Sequence, residues 1–150
     1  MVQSEVFNAI TTSLNQLGIR YRVDVPSAVV GGSFLRSHGQ LGKIWFRVII
    51  VNQAVVCYAG YEDVQIPQSW QMLRLIDLLN ARMVMGNFEF ESVSCVLRYR
   101  YAIPCVAFTG SKVDIMQPLV QIPVNMCDRC LSAFQRVVGG VDPSQAIQGI

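Results

Sequence analysis

The segment Asn87–Pro104, NFEFESVSCVLRYRYAIP, consists of two alternating runs separated by a short polar break. In the first run Phe88 and Phe90 alternate with glutamates, and in the second a leucine and two tyrosines alternate with arginines. A period of two is typical of a β-strand that buries one of its faces. The segment therefore predicts an antiparallel hairpin with one apolar and one charged face.

Charge determines which register we expect for this hairpin. A register that sets Glu89 opposite Arg98 or Arg100 places the glutamates beside the arginines and the aromatic rings beside one another. A shift by one residue would place carboxylates on the aromatic face. The predicted charged face consists of Glu89, Glu91, Arg98 and Arg100. Two interpretations of it stay open: a solvated sheet surface, or the charged wall of a groove that binds a partner.

The composition favours a single domain, residues 1–150, with a substantial core. Apolar residues make up 52% of the chain and charged residues 15%, whereas a typical soluble protein has about 25% charged residues. So few charges leave part of the surface apolar, which favours a homodimer or another protein partner. The net charge is +2 without a basic cluster, so nucleic acid is not an expected partner.

Nothing in the sequence predicts insertion into a membrane. The longest apolar stretch, Ile44–Val51, is interrupted by Arg47 and is far shorter than the roughly 20 residues that span a bilayer. The start, MVQSEVF, lacks the basic and apolar regions of an export signal. We therefore expect a cytoplasmic protein whose five cysteines stay reduced and act first as small buried hydrophobic residues.

Hydrophobic periodicity predicts the remaining elements. Helices are expected at 5–17, from Pro67 to about Met85, and at 114–138, where Pro118 and Pro123 restrict the secure part to 125–138. Strands are expected at 21–25, 43–51 and 54–61, and a further short strand within the loop after residue 28 is an open alternative. The predicted class is α+β, with a five-stranded antiparallel sheet, helices mainly on one face and the order α-βββ-α-ββ-α.

Two details of this prediction concern particular side chains. The Asn52-Gln53 dipeptide between two β-branched runs predicts a tight hairpin. The second helix is expected to bury one stripe of apolar residues, namely Trp70, Leu73, Ile76, Leu79 and Met83.

Cys127 and Cys130 form a CxxC motif, which can indicate thiol redox chemistry or a zinc site. A reactive thiolate needs a helix N-terminus or a similar environment to lower its pKa, and structural zinc needs two further ligands. Residues three apart on a helix also share one face, so core packing explains the same spacing. The redox or zinc function is therefore the alternative hypothesis, and the sequence predicts no metal and no cofactor.

No arrangement of residues in the sequence indicates an enzyme. His38 is the single histidine, and no serine lies in a GxSxG elbow that could complete a triad with it. The GQLGK segment at residues 39–43 lacks the upstream spacing of a phosphate-binding loop and precedes a strand rather than a helix. No pair of carboxylates has a spacing suited to acid and base catalysis.

The hairpin motif resembles the YbjN-like family, the bacterial sensory transduction regulators. Family members carry an N-F-x-x-D/E strand, a short turn and an E-V-R-F/Y-R strand, and the chain matches them at Asn87, Phe88, Glu91, Leu97, Arg98, Tyr99 and Arg100. It departs from the family at Cys95, where a turn glycine is common, and at Val96, where glutamate is common. The closing GVDPSQAI is also similar to the end of such domains.

The resemblance implies a fold like that of the type III secretion chaperones, which often dimerise and hold segments of other proteins. It implies no catalytic residues. The leading prediction is a non-enzymatic homodimer that binds a partner segment, with Glu89, Glu91, Arg98 and Arg100 as the candidate surface. A small-molecule sensor with an apolar pocket between helix and sheet is a third possibility that the sequence leaves open.

Overall fold

The structure is a computed structural model that describes residues 3–24, 27, 29–35, 42–108 and 113–150. Its elements follow in chain order: α1 (Gln3–Gln16), β1 (Arg22–Asp24), β2 (Val29–Leu35), β3 (Lys43–Val51), β4 (Ala54–Tyr61), α2 (Trp70–Asn80), β5 (Asn87–Phe90), β6 (Leu97–Pro104), a 3-10 turn (Cys105–Phe108), α3 (Val113–Val138) and α4 (Pro143–Ala146).

The described strands form one antiparallel sheet in the order β1-β2-β3-β4-β6-β5, which confirms the α+β class. The predicted count of five strands is wrong, because β2 is a full strand and raises the count among the described residues to six. Gly31 and Gly32 suggested a loop from the sequence. In the structure, their lack of a side chain lets atoms of neighbouring segments approach them closely. A Cβ on Gly32 would lie 2.5 Å from the carbonyl oxygen of Arg20, and one on Gly31 would lie 3.0 Å from that of Phe46.

The two predicted hairpins are confirmed. Asn52 and Gln53 connect β3 to β4 with φ angles of 48° and 64°, the left-handed pair that a type I′ turn requires. In the second hairpin Phe88 lies opposite Tyr99 and Glu89 lies opposite Arg98. The aromatic side chains therefore share one face of the sheet and the charged side chains share the other.

The helices pack on the aromatic face of the sheet and form a single core with it. Helix α3 crosses this face, where the Tyr61 hydroxyl donates to the carbonyl of Cys127 at 2.8 Å. Phe88 makes edge-to-face contacts with Tyr99 and Phe134, at centroid distances of 4.9 and 5.0 Å. The buried residues of α1 and α2 belong to the same core. Among the described elements, no helix contributes to a core on the opposite face.

Helix α2 has different bounds from the predicted helix, and a different side of it is buried. Its N-cap is Ser69, whose hydroxyl accepts a hydrogen bond from the amide of Met72 at 3.1 Å, so the helix starts after Pro67 and ends at Asn80. The buried stripe consists of Met72, Leu75, Ile76 and Leu79. Trp70 is 76% exposed, which corrects its predicted place in the core.

Helix α3 is continuous through both prolines, which confirms the predicted helix at 114–138. The expectation that only residues 125–138 would be securely helical was wrong. Each proline removes one backbone hydrogen bond, a cost of about 3 kcal/mol or more in a helix interior. The apolar stripe of α3 runs from Met116 to Val137, and Pro123 is itself part of it. Burial along the whole length stabilises the helix across these two positions.

Candidate functional site

The face of the sheet that lies away from the helices is called the open face below. It carries Arg22, Gly31, Trp45, Arg47, Tyr58, Asn87, Glu89, Arg98 and Arg100, which alternate along their strands with core residues. Val56 also lies on this face and is buried, but it is not part of the core under the helices. The four site residues that the sequence predicted map to this face or to the turn at its end.

One row of directly opposed residues crosses the open face from β1 to β5. It consists of Arg22, Gly31, Arg47, Tyr58, Arg100 and Asn87, each of which is the register partner of the next. Directly opposed residues in antiparallel strands project on the same side of a sheet. This set is called the arginine row below, and it is the most cationic line of residues on the face.

Glu89 and Arg98 form the predicted cross-strand ion pair. The Glu89 Oε1 atom lies 2.7 Å from Arg98 Nη2 and accepts a hydrogen bond from Arg98 Nε at 2.8 Å. The same guanidinium lies 4.0 Å from the centroid of the Tyr58 ring. Arg98 is thereby held by a carboxylate and an aromatic ring at once, so this pair is a fixed part of the surface.

Of the two registers that the sequence left open, the structure has the one in which Glu89 faces Arg98, and neither Glu91 nor Arg100 lies directly opposite a residue of opposite charge. Because Glu89 faces Arg98, Arg100 lies opposite Asn87, and Glu91 lies beyond the end of β5. The Glu91 carboxylate accepts hydrogen bonds from the amide of Ser94 at 2.6 Å, from the Ser94 hydroxyl at 2.6 Å and from the amide of Val93 at 3.1 Å. Glu91 therefore closes the turn instead of pairing with an arginine.

The turn has two further properties that follow from this geometry. The hydrogen bonds from Ser94, its side chain first, lower the pKa of Glu91 to about 2. Cys95 has a φ of 54°, a left-handed conformation that favours glycine. Cys95 is the position at which members of the YbjN-like family commonly have glycine, and glycine adopts a positive φ without strain.

Four residues of the open face were not predicted as site residues from the sequence: Arg22, Trp45, Arg47 and Tyr58. The Arg47 guanidinium lies 5.5 Å from the centroid of the Trp45 ring. Trp45 lies across Gly60, where an added Cβ would approach its ring to 2.5 Å. The signal was available, because the tight turn after Val51 sets the register that places Arg47 opposite Tyr58.

Two grooves border the open face and share Trp45, Arg47 and the carboxylate of Glu62 in their linings. The larger, about 1200 Å³, lies between residues 62–68 and the turn at 91–97. The smaller, about 560 Å³, includes Arg20, Arg22 and Gly31. Of the arginine row, Arg22, Gly31 and Arg47 line these grooves, and the row continues beyond them through Tyr58 to Arg100.

The CxxC cysteines lie in the middle of α3 and are fully buried. Burial raises the pKa of Cys130 to about 11 and raises that of Cys127 well above its ordinary value. Burial thus disfavours the thiolate on which the redox alternative depends. Within the described ranges, no three side chains of His, Cys, Asp or Glu come together as around a metal ion.

Other features of the sequence have the following places. An apolar pocket of about 300 Å³, lined in part by Met83, Met85, Met126 and Cys130, lies between α2 and α3.

His38 and most of the 39–43 segment lie outside the described residues. In the part of the chain that is described, no helix combines the length and the apolar character needed to cross a bilayer.

Comparison of the chain with protein-family models, with curated proteins and with solved structures found no match. The geometry of the open face therefore carries the functional argument.

Proposed function

We propose that this protein is a non-enzymatic interaction protein that binds a segment of a partner polypeptide on the open face of its sheet. The observation that carries the proposal is the arginine row beside Trp45, which the helices leave uncovered. Arginine and large aromatic residues are enriched at protein interfaces and dominate their binding energy. The carboxylates of the face and its grooves have structural partners: Asp24 accepts a hydrogen bond from Ser27, Glu62 accepts one from Ser33, Glu89 binds Arg98 and Glu91 closes the turn.

The YbjN-like family and the chaperone-like fold belong to the same proposal. The hairpin register, the positive φ at Cys95 and the α+β element order support them. The five cysteines are free, which supports a reducing, cytoplasmic location. Of the four residues proposed from sequence, Arg100 is the best suited to contact a partner, because the other three already bind groups of the protein.

A homodimer is the second part of the proposal. Trp70 and Leu73 are 76% and 38% exposed on the outer side of α2, and such apolar groups support association. We expect a solution mass of twice 16.7 kDa by light scattering, and a lower mass for Trp70→Asp. The Val138→Asp substitution, at a valine that is 54% exposed at the end of α3, is the control. A monomeric wild-type protein would contradict this part.

Photo-crosslinking in cells of the native host tests the main proposal. A photoreactive amino acid replaces Val51, which is 42% exposed on the open face, or in a control the exposed Val138. We expect covalent adducts with another polypeptide from position 51 and not from position 138. Mass spectrometry of the adducts identifies the contacting segment. Equal adducts from both positions, or none from position 51, would reject the open face as the binding surface.

A further inference from the structure

The three arginines of the arginine row lie on every second strand of the sheet. Arg22 is on β1, Arg47 is on β3 and Arg100 is on β6, with Gly31 of β2 and Tyr58 of β4 between them. Within the described ranges, the ion pair of this face joins Glu89 to Arg98. Two further carboxylates lie near the row: Asp24 is on the same face as Arg22 and accepts a hydrogen bond from Ser27, and Glu62 lines both grooves with Arg47 and accepts one from Ser33. Among the described residues, neither forms an ion pair with an arginine of the row.

The spacing of these arginines follows from the geometry of a sheet. Neighbouring strands are about 4.8 Å apart, so the backbones of Arg22, Arg47 and Arg100 are separated by steps of about 9.6 Å. A polyproline II segment presents the same side every three residues, which is about 9.3 Å. A partner segment in a β-strand would present the same side every two residues, which is about 6.8 Å. A partner α-helix would present the same side every seven residues, which is about 10.5 Å. Polyproline II matches the row best.

We infer that the open face selects a partner segment in the polyproline II conformation that carries a carboxylate at every third residue. Each carboxylate would bind one guanidinium of the arginine row, a pairing for which the arginine fork is well suited. This inference rests on the proposed function and specifies the partner segment of the same surface.

The positions between the arginines suit the residues between the carboxylates. Gly31 has no side chain, and it lies in the groove of about 560 Å³ between Arg22 and Arg47. Tyr58 is half-buried between Arg47 and Arg100. The Arg98 guanidinium covers one face of this ring, so a partner segment would contact its edge or its other face. Aromatic rings are the usual contacts of proline-rich segments in this conformation.

Fluorescence anisotropy with three labelled twelve-residue peptides tests the inference on the full chain. The first peptide is four repeats of Glu-Pro-Pro, the second has the same composition with its four glutamates adjacent, and the third has glutamine in place of glutamate. We expect saturable binding of the first, at least about fivefold weaker binding of the second and no binding of the third. Affinity for the first should fall as salt is raised.

Arginine variants assign the binding to the row. Arg47→Gln and Arg100→Gln should each weaken binding of the first peptide about threefold, and the double variant about tenfold, as expected for partly exposed ion pairs. Arg74→Gln, an exposed arginine of α2, is the matched control and should bind like the wild type. Circular dichroism spectra confirm that each variant is folded.

The outcomes separate this inference from the proposed function. Equal affinity for the first and second peptides, or equal affinity of the Arg47→Gln and Arg74→Gln variants, would overturn the inference while adducts from position 51 stand. A single-stranded uridine decamer that binds more tightly than the first peptide would also overturn it. Absence of adducts from position 51 would instead contradict the proposed function itself.

Discussion

The two faces of the sheet at β4, β5 and β6 are built from the same alternating strands, yet they have opposite surroundings. On the core face Phe88 and Tyr99 are almost completely buried under α3. On the open face Tyr58 and Arg100 are only partly buried. Successive residues of one strand therefore serve stability and, under the proposed function, recognition separately, because their side chains point to opposite sides of the sheet. Mutations on the two faces should therefore separate these properties.

The largest effect is expected from the core face. Phe88→Ala removes a ring that is 1% exposed and contacts two other rings, so the free energy of unfolding should fall by about 3–5 kcal/mol. Urea denaturation followed by circular dichroism measures this change. Tyr58→Ala on the open face is the control and should cost about 1 kcal/mol or less. Similar losses for the two variants would show that the faces are not energetically distinct.

A smaller effect is expected where the open face is most tightly packed. Gly60→Ala places a Cβ 2.5 Å from the ring of Trp45, so the indole must move toward solvent. We expect a red shift of its fluorescence, measured in a Trp70→Phe background, and a stability loss of about 1 kcal/mol. Gly139→Ala, whose added Cβ would meet no atom closer than 3.4 Å, is the control. An unchanged emission spectrum would indicate that Trp45 does not lie on Gly60.

The ion pair between Glu89 and Arg98 should contribute less. A double-mutant cycle with Glu89→Gln and Arg98→Gln is expected to give a coupling free energy of about 0.2–1 kcal/mol, because both side chains are partly exposed, at 30% and 23%. The coupling should decrease at high salt. A coupling near zero at low salt would mean that the pair contributes only to the shape of the surface.

The smallest effect is a pH dependence at the end of the open face. The folded-state pKa of Glu91 is about 2, below its ordinary value of 4.5, so the folded protein favours the charged form. Its contribution to stability is complete above about pH 4.5 and is lost as the pH falls toward 2. The stability difference between wild type and Glu91→Gln should shrink over that range in urea titrations. A constant difference between pH 5 and 2 would contradict this assignment.

Patterns within single elements were predicted well. The alternation at residues 87–104 and the requirement to keep charge off the aromatic face limited the partner of Glu89 to Arg98 or Arg100, and the structure has Arg98. The tight turn at Asn52 and Gln53 was also predicted, because it depends on two adjacent residues. The α+β class followed from the sum of such local patterns.

Features that depend on distant partners were predicted poorly. The stripe of α2 shifted from Trp70 to Met72, because the cap at Ser69 and the position of the core decide which side of a helix is buried. The two prolines of α3 suggested an interruption, but burial of one face over 26 residues stabilises the continuous helix. Strand β2 was identified only as an alternative, because its glycines are favourable only against Phe46 and Arg20.

By itself, the sequence determined the hairpin and its two faces and limited the partner of Glu89 to Arg98 or Arg100, because alternation and charge act between residues that are close in the chain. The tertiary structure decided which charged residues are available to a partner. Arg22, Arg47 and Arg100 come from strands far apart in sequence, and only the registers of the intervening strands align them in one row. Backbone hydrogen bonds across the whole sheet set those registers, so no single segment encodes the arginine row.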